Sequence, residues 1–278
     1  MSNLFLPARF SERIHRLALG VEPLDAAGGA RLGHPIQILV EPPAPGLPRP
    51  RLVRHLSGLF VMVQDPGVPT ALTLRLCDLG APKDVPGFCA RTNRRRLVPR
   101  RLQITIPAAD LADTLPIAQR ARRPALFPGA AYAVTDSVTG LRGRVERAGV
   151  PVRWARVEAR RPGAGPADPP VGRAHGDDRG EFLLLVESNA APMTTLERPF
   201  ELDLVAYPPS PPAPLPPQSV RDTDGLWDLP VETLSAPGAP DPVAAGAFPP
   251  AGWGAAAPPV RVALVYGRLL TGLAPLTL

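Results

Sequence analysis

Lysine is nearly missing from this 278-residue chain: of its 31 basic residues, only Lys83 is a lysine. Arginine therefore carries the formal charge of +6, a bias that fits a GC-rich coding sequence as well as any functional demand. Aromatic residues make up 5% of the chain, so its cores must be filled by Leu, Val, Ile and Ala. The two cysteines, Cys77 and Cys89, are too few for a disulfide scaffold, and neither has a His or Cys neighbour at zinc spacing. They read as reduced thiols. No stretch approaches 18 consecutive apolar residues, and the start, MSNLFLPARF, has no basic segment followed by an apolar core. The expectation is a cytoplasmic protein with no membrane contact. Motifs for catalysis are missing too. None of His15, His34, His55 and His175 opens an HExxH or HxxE pattern, and no GxSxG, P-loop or GxGxxG occurs. The chain is therefore expected to be no enzyme, and to hold neither metal nor cofactor.

What the chain does have is proline and glycine, 40 and 25 residues respectively, or about 23% of the sequence against roughly 12% in an average protein. That excess disfavours long helices and favours short strands, turns and extended connections. Period-two alternation marks four strands: 70–76 (Leu72, Leu74, Leu76 on one face), 102–106 (Leu102, Ile104, Ile106), 200–204 (Phe200, Leu202, Leu204) and 260–266 (Val260, Val262, Leu264, Tyr266). The two halves of the chain repeat one another in order. Gly33 to Ile38 matches Gly149 to Trp154, and Gly58-Leu59-Phe60 matches Gly180-Glu181-Phe182. Each Gly-x-Phe strand precedes an alternating strand, then a long connection, then a last alternating strand. This divides the chain into an N-terminal arm (1–9), a first β unit (10–107), a connector (108–131) with a short helical turn at Ala108 to Thr114, and a second β unit (132–207 with 260–278). A Pro-rich insertion (208–259) interrupts the second unit. Prolines at seven of the ten positions 208–217 predict a polyproline rod, and the low complexity beyond it predicts a mobile loop.

Within 139–186, a Gly-Arg-Val opening, a Gly-x-Pro turn into Ala155-Arg156-Val157, and the run GRAHGDDRGEF together resemble the carboxypeptidase regulatory-like domain. The resemblance implies a transthyretin-like β-sandwich related to CnaB modules, and hence an all-β chain of two tandem transthyretin-like sandwiches with the Pro-rich insertion and extended arms. It implies a scaffold rather than a catalyst. The isopeptide bond of CnaB modules needs a lysine amine, which the second unit lacks. Asp177, Asp178 and Glu181 offer oxygen ligands for calcium. However, adjacent carboxylates do not follow the alternating spacing of Ca²⁺ loops, and Asp-Asp-x-Gly is what a tight turn before a strand requires.

Leu4, Phe5 and Leu6 have no place in the repeat, and Trp227 and Trp253 stand isolated in the insertion, so all five read as partner-binding anchors. Trp154, at a strand position, reads as core. Arg94, Arg95 and Arg96 belong to a basic stretch, Arg91 to Arg101, continued by Arg120, Arg122 and Arg123. Arginine forks suit carboxylates at protein interfaces, while a run of cations also suits phosphates; no aromatic residues interleave it to stack bases. The expected function is a structural or adaptor component of a large assembly, such as a phage-tail-like or contractile injection particle (baseplate, cap or spike), with other subunits as partners. In that setting the cytoplasmic protein would end within a released or extracellular particle. The alternatives are a nucleic-acid-binding protein using the basic stretch and a carbohydrate-binding or adhesive module.

Overall fold

A computed structural model describes residues 17–33, 35–41, 50, 52–63, 71–78, 96–106, 115–135, 137–165, 167–187, 190, 199–211, 214–234, 241, 243 and 252–278. The fold is all-β, as the proline and glycine content and the period-two patterns require. The first half contributes β1 (Leu17–Val21), β2 (Leu24–Asp25), β3 (Ile36–Val40), β4 (Val53–Arg54), β5 (Phe60–Val63), β6 (Ala71–Asp78), β7 (Arg100–Thr105), β8 (Ala121–Arg122) and β9 (Ala125–Leu126). The second half contributes β10 (Gly140–Arg147), β11 (Val150–Pro151), β12 (Arg156–Arg160), β13 (Gly172–His175), β14 (Glu181–Val186) and β15 (Phe200–Tyr207). Beyond it come one short helix, α1 (Gln218–Thr223), and β16 (Val231–Thr233), β17 (Val260–Leu264), β18 (Leu269–Leu270) and β19 (Leu276–Thr277).

In the first half, a sheet of order β4-β5-β1-β8 and a sheet of order β16-β7-β6-β3 share one core. Leu19, Val21 and Met62 enter it from one sheet and Leu74, Leu102 and Ile104 from the other. In the second half the order runs β11-β10-β14-β13-β12-β15-β17, with β18 and β19 also on β10, because β13 joins β14 to β12. Its core gathers Leu141, Phe182, Val157, Leu202, Leu204 and Val262.

Several strand pairings of the two halves correspond, although β11 and the β13 link between β14 and β12 have no counterpart among the described residues of the first half. β1 pairs antiparallel with β5, placing Val21 opposite Phe60, and β10 pairs with β14, placing Gly143 opposite Phe182. β6 lies between β3 and β7, and β15 lies between β12 and β17. β8 adds to β1 in parallel as β18 adds to β10, and β9 lies on β2 as β19 lies on the end of β10. The closing strand at 260 is therefore integral to the second half, despite the insertion before it.

Three expectations change. The counterpart of β3 is β12, which starts at Arg156, so Gly149 to Trp154 is not the strand that Gly33 to Ile38 leads into. Val150–Pro151 is a two-residue edge strand, and Trp154 sits in a turn with φ 58, buried in the core as expected but not on a strand. The connector is not a passive link, since its described part supplies β8 and β9; Ala108 to Thr114 lies outside the described residues. Finally, Cys77 is disulfide-bonded rather than a reduced thiol; Cys89 lies outside the described residues.

The Asp177 to Gly180 turn has the form its sequence predicts. Asp177 Oδ1 accepts from the amides of Arg179 (2.8 Å) and Glu181 (3.0 Å), and Gly180 takes φ 72. A Cβ there would lie 2.7 Å from the carbonyl oxygen of Val145 and 3.0 Å from that of Val152. Gly180→Ala combines left-handed backbone strain with a backbone collision. It is expected to cost more than about 1 kcal/mol, read by chemical denaturation.

Candidate interaction surfaces and the inter-half seam

The insertion does not stay with the half it interrupts. After α1, β16 runs parallel to β7 of the first half, with Val231 opposite Arg101, Glu232 opposite Leu102 and Thr233 opposite Gln103. Residues of opposite parity alternate faces, so the central Glu232 turns into the protein while its neighbours stay exposed. There it meets Arg100, whose side chain is 1% exposed. Arg100 Nε donates to Glu232 Oε1 (3.1 Å) and Nη2 to Oε2 (2.7 Å), the forked geometry that arginine favours. Nη1 donates to the Ala125 carbonyl (2.7 Å) and to Asp241 Oδ2, and the same Asp241 oxygen accepts from the Ala125 amide at 2.9 Å.

Glu232 Oε2 also lies 2.6 Å from Arg156 Nη2 of the second half, a close ion pair without hydrogen-bond alignment. The Arg156 guanidinium stacks on the Trp253 ring, 3.9 Å from its centroid. Directly across from Arg156 on the neighbouring strand is His175, whose ring stacks on Phe127 of the first half with centroids 3.8 Å apart and planes at 18°. Two guanidiniums, two carboxylates and one imidazole thus close a seam among both halves and the insertion.

Charge and burial set the protonation of the seam. Burial pushes Arg100 toward losing its proton, but Glu232 and Asp241 outweigh it and raise its pKa. Burial also opposes the charge on Glu232 and Asp241, and the guanidiniums reverse that and hold both below the ordinary carboxylate range. Arg156 is less well served: burial, partly offset by Glu232 and reinforced by Arg100, brings it down to about 10. Burial, with the charges of Arg156 and Arg100 behind it, holds His175 well below 6.5. His175 is therefore neutral in the fold, while the unfolded chain takes up the proton below pH 6.5. Stability should fall as pH drops below that point. The depressed carboxylates keep their full contribution above about pH 4.5 and lose it as pH falls further. The expected melting profile declines in two stages on acidification, and His175→Gln removes the first; an unchanged profile in that variant would refute the assignment.

Further contacts bind the insertion. Arg75 pairs with Glu41 and with Asp224 (2.6 Å), and Arg101 forks onto Glu41 at 2.6 and 2.7 Å. A small core joins Cys77 and Val98 of the first half, Trp154 of the second, and Leu226 and Leu229 of the insertion. The Trp154 indole N–H donates to Asp228 at 2.9 Å. The described part of the insertion is thus a strap rather than a mobile loop.

No family model, curated protein or solved structure matches the chain.

Of the residues singled out by sequence, Leu4, Phe5, Leu6, Arg94 and Arg95 lie outside the described residues. Arg96 is exposed. Trp253 is half-buried against its own chain: its indole N–H donates to the Trp154 carbonyl at 2.9 Å, and it forms a bridge with Pro209. Trp227, also half-buried, lines an open groove of about 360 Å³ with Val150, Pro209, Pro211 and Leu215. The described arginines after Arg96 are mostly engaged. Arg100 and Arg101 hold carboxylates, Arg120 and Arg122 donate to the carbonyls of Leu115 (2.9 Å) and Thr105 (2.9 Å), and Arg123 pairs with Glu22 at 2.9 Å. Sequence reasoning missed Glu232, Asp241 and Asp224, the carboxylates that take up Arg100 and Arg75. Among the described residues no group of three or more His, Cys, Asp or Glu is arranged to hold a metal ion, and no helix is long and apolar enough to cross a membrane.

Proposed function

We propose that the chain is a non-enzymatic structural or adaptor component of a larger protein assembly, built from two transthyretin-like sandwiches braced by the Pro-rich insertion. The observation that carries this reading is the strap. It leaves the second half, completes a sheet of the first and seats Glu232 between Arg100 and Arg156. Such bracing fixes the relative orientation of two β units, which a building block needs and a flexible tether does not supply. The apolar groove beside Trp227, with Val150 64% and Leu215 58% exposed, offers surface for partner subunits. Cys77's disulfide favours a protein that ends in an oxidising environment, such as a released particle, over a permanently cytoplasmic one. A phage-tail-like or contractile injection particle is the narrower form of the proposal and rests on analogy of fold.

Nucleic-acid binding is the weaker reading because the described members of the basic stretch are largely committed to carboxylates and backbone carbonyls. Pull-down of the tagged chain from its source, with electron microscopy of the co-purifying material, tests the reading. Particles with repeated subunits are expected. Recovery of DNA or RNA with steep salt dependence would overturn it in favour of the alternative.

A further inference from the structure

The two halves finish their equivalent sheets differently. In the first, the outer edge of β7 is covered by β16 in parallel. In the second, β17 stands where β7 stands, and among the described residues no strand pairs with its outer edge. The registers agree: Arg100 and Leu102 face Leu76 and Leu74, while Val260 and Val262 face Leu204 and Leu202. The backbone phase agrees as well. The Ala206 carbonyl points toward the β17 side, accepting from the Ala257 amide at 2.8 Å. Alternation then makes Leu204–Val260 and Leu202–Val262 the hydrogen-bonded pairs and turns the amides and carbonyls of Arg261 and Ala263 outward. Gln103, in the matching position of β7, uses its carbonyl for the strap, accepting from the Leu234 amide at 3.2 Å.

Of the positions at which the two edge strands differ, the first bears most directly on what a covering strand must carry. Where β7 has Arg100, which selects Glu232 from β16, β17 has Val260. Val260 lies on the same face as Val262 and Leu264, the core-facing one, yet is 39% exposed. An added strand would cover it, and the central residue of that strand would need to be apolar where β16 carries glutamate.

We propose that the outer edge of β17 is a docking site for an extended strand of a partner subunit, added in parallel, with an apolar residue in the position that Glu232 holds in β16. This rests on the reading of the chain as an assembly component and names one way it engages a partner. Strand addition of this kind draws affinity from main-chain hydrogen bonds and specificity from the alternate side chains.

The test uses the full chain and a synthetic peptide of residues 228–234 carrying Glu232→Val, followed by amide NMR. The signals of Arg261 and Ala263 should shift, and their hydrogen exchange should slow by roughly tenfold at saturating peptide. The unaltered peptide should bind this edge more weakly. Ala263→Pro removes an outward N–H without removing a bond to β15, so it should abolish the shifts while leaving the melting temperature nearly unchanged. Unmoved signals at 261 and 263, or shifts confined to the groove beside Trp227, would overturn the proposal. So would a concentration-dependent dimer lost in Ala263→Pro, since that would make a second copy the occupant. Peptide seating at β17 without co-purifying subunits would refute the assembly reading alone, and recovered particles without seating at β17 would refute this inference alone.

Discussion

Arg100→Ala should destabilise the protein by about 3–5 kcal/mol, the cost of removing one member of a buried ion cluster, which leaves Asp241 buried without its guanidinium and Glu232 with Arg156 alone. Arg100 satisfies Glu232 through a fork, Asp241 through a second contact and the Ala125 carbonyl through a third. Its loss leaves two carboxylates in a site where burial already disfavours their charge. Glu232→Ala should be comparably costly, because it strips both Arg100 and Arg156 of a carboxylate. The two changes should not add: in the double variant the second substitution removes a group that the first has already stripped of a partner. Since Glu232 also joins the halves, either variant should split a single thermal transition into two. Denaturant unfolding of the three variants measures the coupling. A loss under about 1 kcal/mol for Arg100→Ala would mean that water reaches the seam and that the strap is not anchored there.

That network was out of reach of sequence reasoning for a definite reason. β16 is three residues long, too short to establish a period, and places its charged residue at the buried position, so alternation there reads as exposed chain. Arg100 is 132 residues from Glu232 and 141 from Asp241, and no local spacing encodes such a pairing. By contrast, the strands around Leu74, Ile104, Leu202 and Val262 each bury alternate apolar residues in one core, so their period survives folding unchanged. The shared order of alternating strands in the two halves was legible because strand pairing in each half imposes the same period on the sequence. Its alignment slipped at Gly149 to Trp154, since nothing local announces that Trp154 adopts φ 58 and delays the strand to Arg156. The turn at Gly180 was readable because side-chain capping and positive φ are local demands. The basic stretch was readable only as charge; which arginines face solvent is decided by carboxylates that arrive from the insertion and from Glu41.

Truncation after Pro259 should abolish stable folding of the second half. The lost segment carries β17, which forms five register pairs with β15 from Phe200–Leu264 to Leu204–Val260, and both short strands that lie parallel on β10. Val262, Leu264 and Leu276 leave the second core, where they are 6%, 2% and 2% exposed. At about 1.5–3 kcal/mol for each buried aliphatic side chain, the loss approaches the whole stability of about 5–15 kcal/mol of a typical domain. It also bares the edge of β15 along Leu202 and Leu204, a template for pairing with other chains. The expected result is aggregation, with hydrophobic dye binding in whatever stays soluble. Truncation after Leu270 separates the contributions: it keeps β17 and β18, protects the β15 edge and removes β19 with buried Leu276 and the partly buried Leu273 and Leu278, so it should remain soluble with a lowered melting temperature. A monomeric Pro259 truncation that melts like the full chain would show that the second core closes without its last strand and that β17 is an appendage.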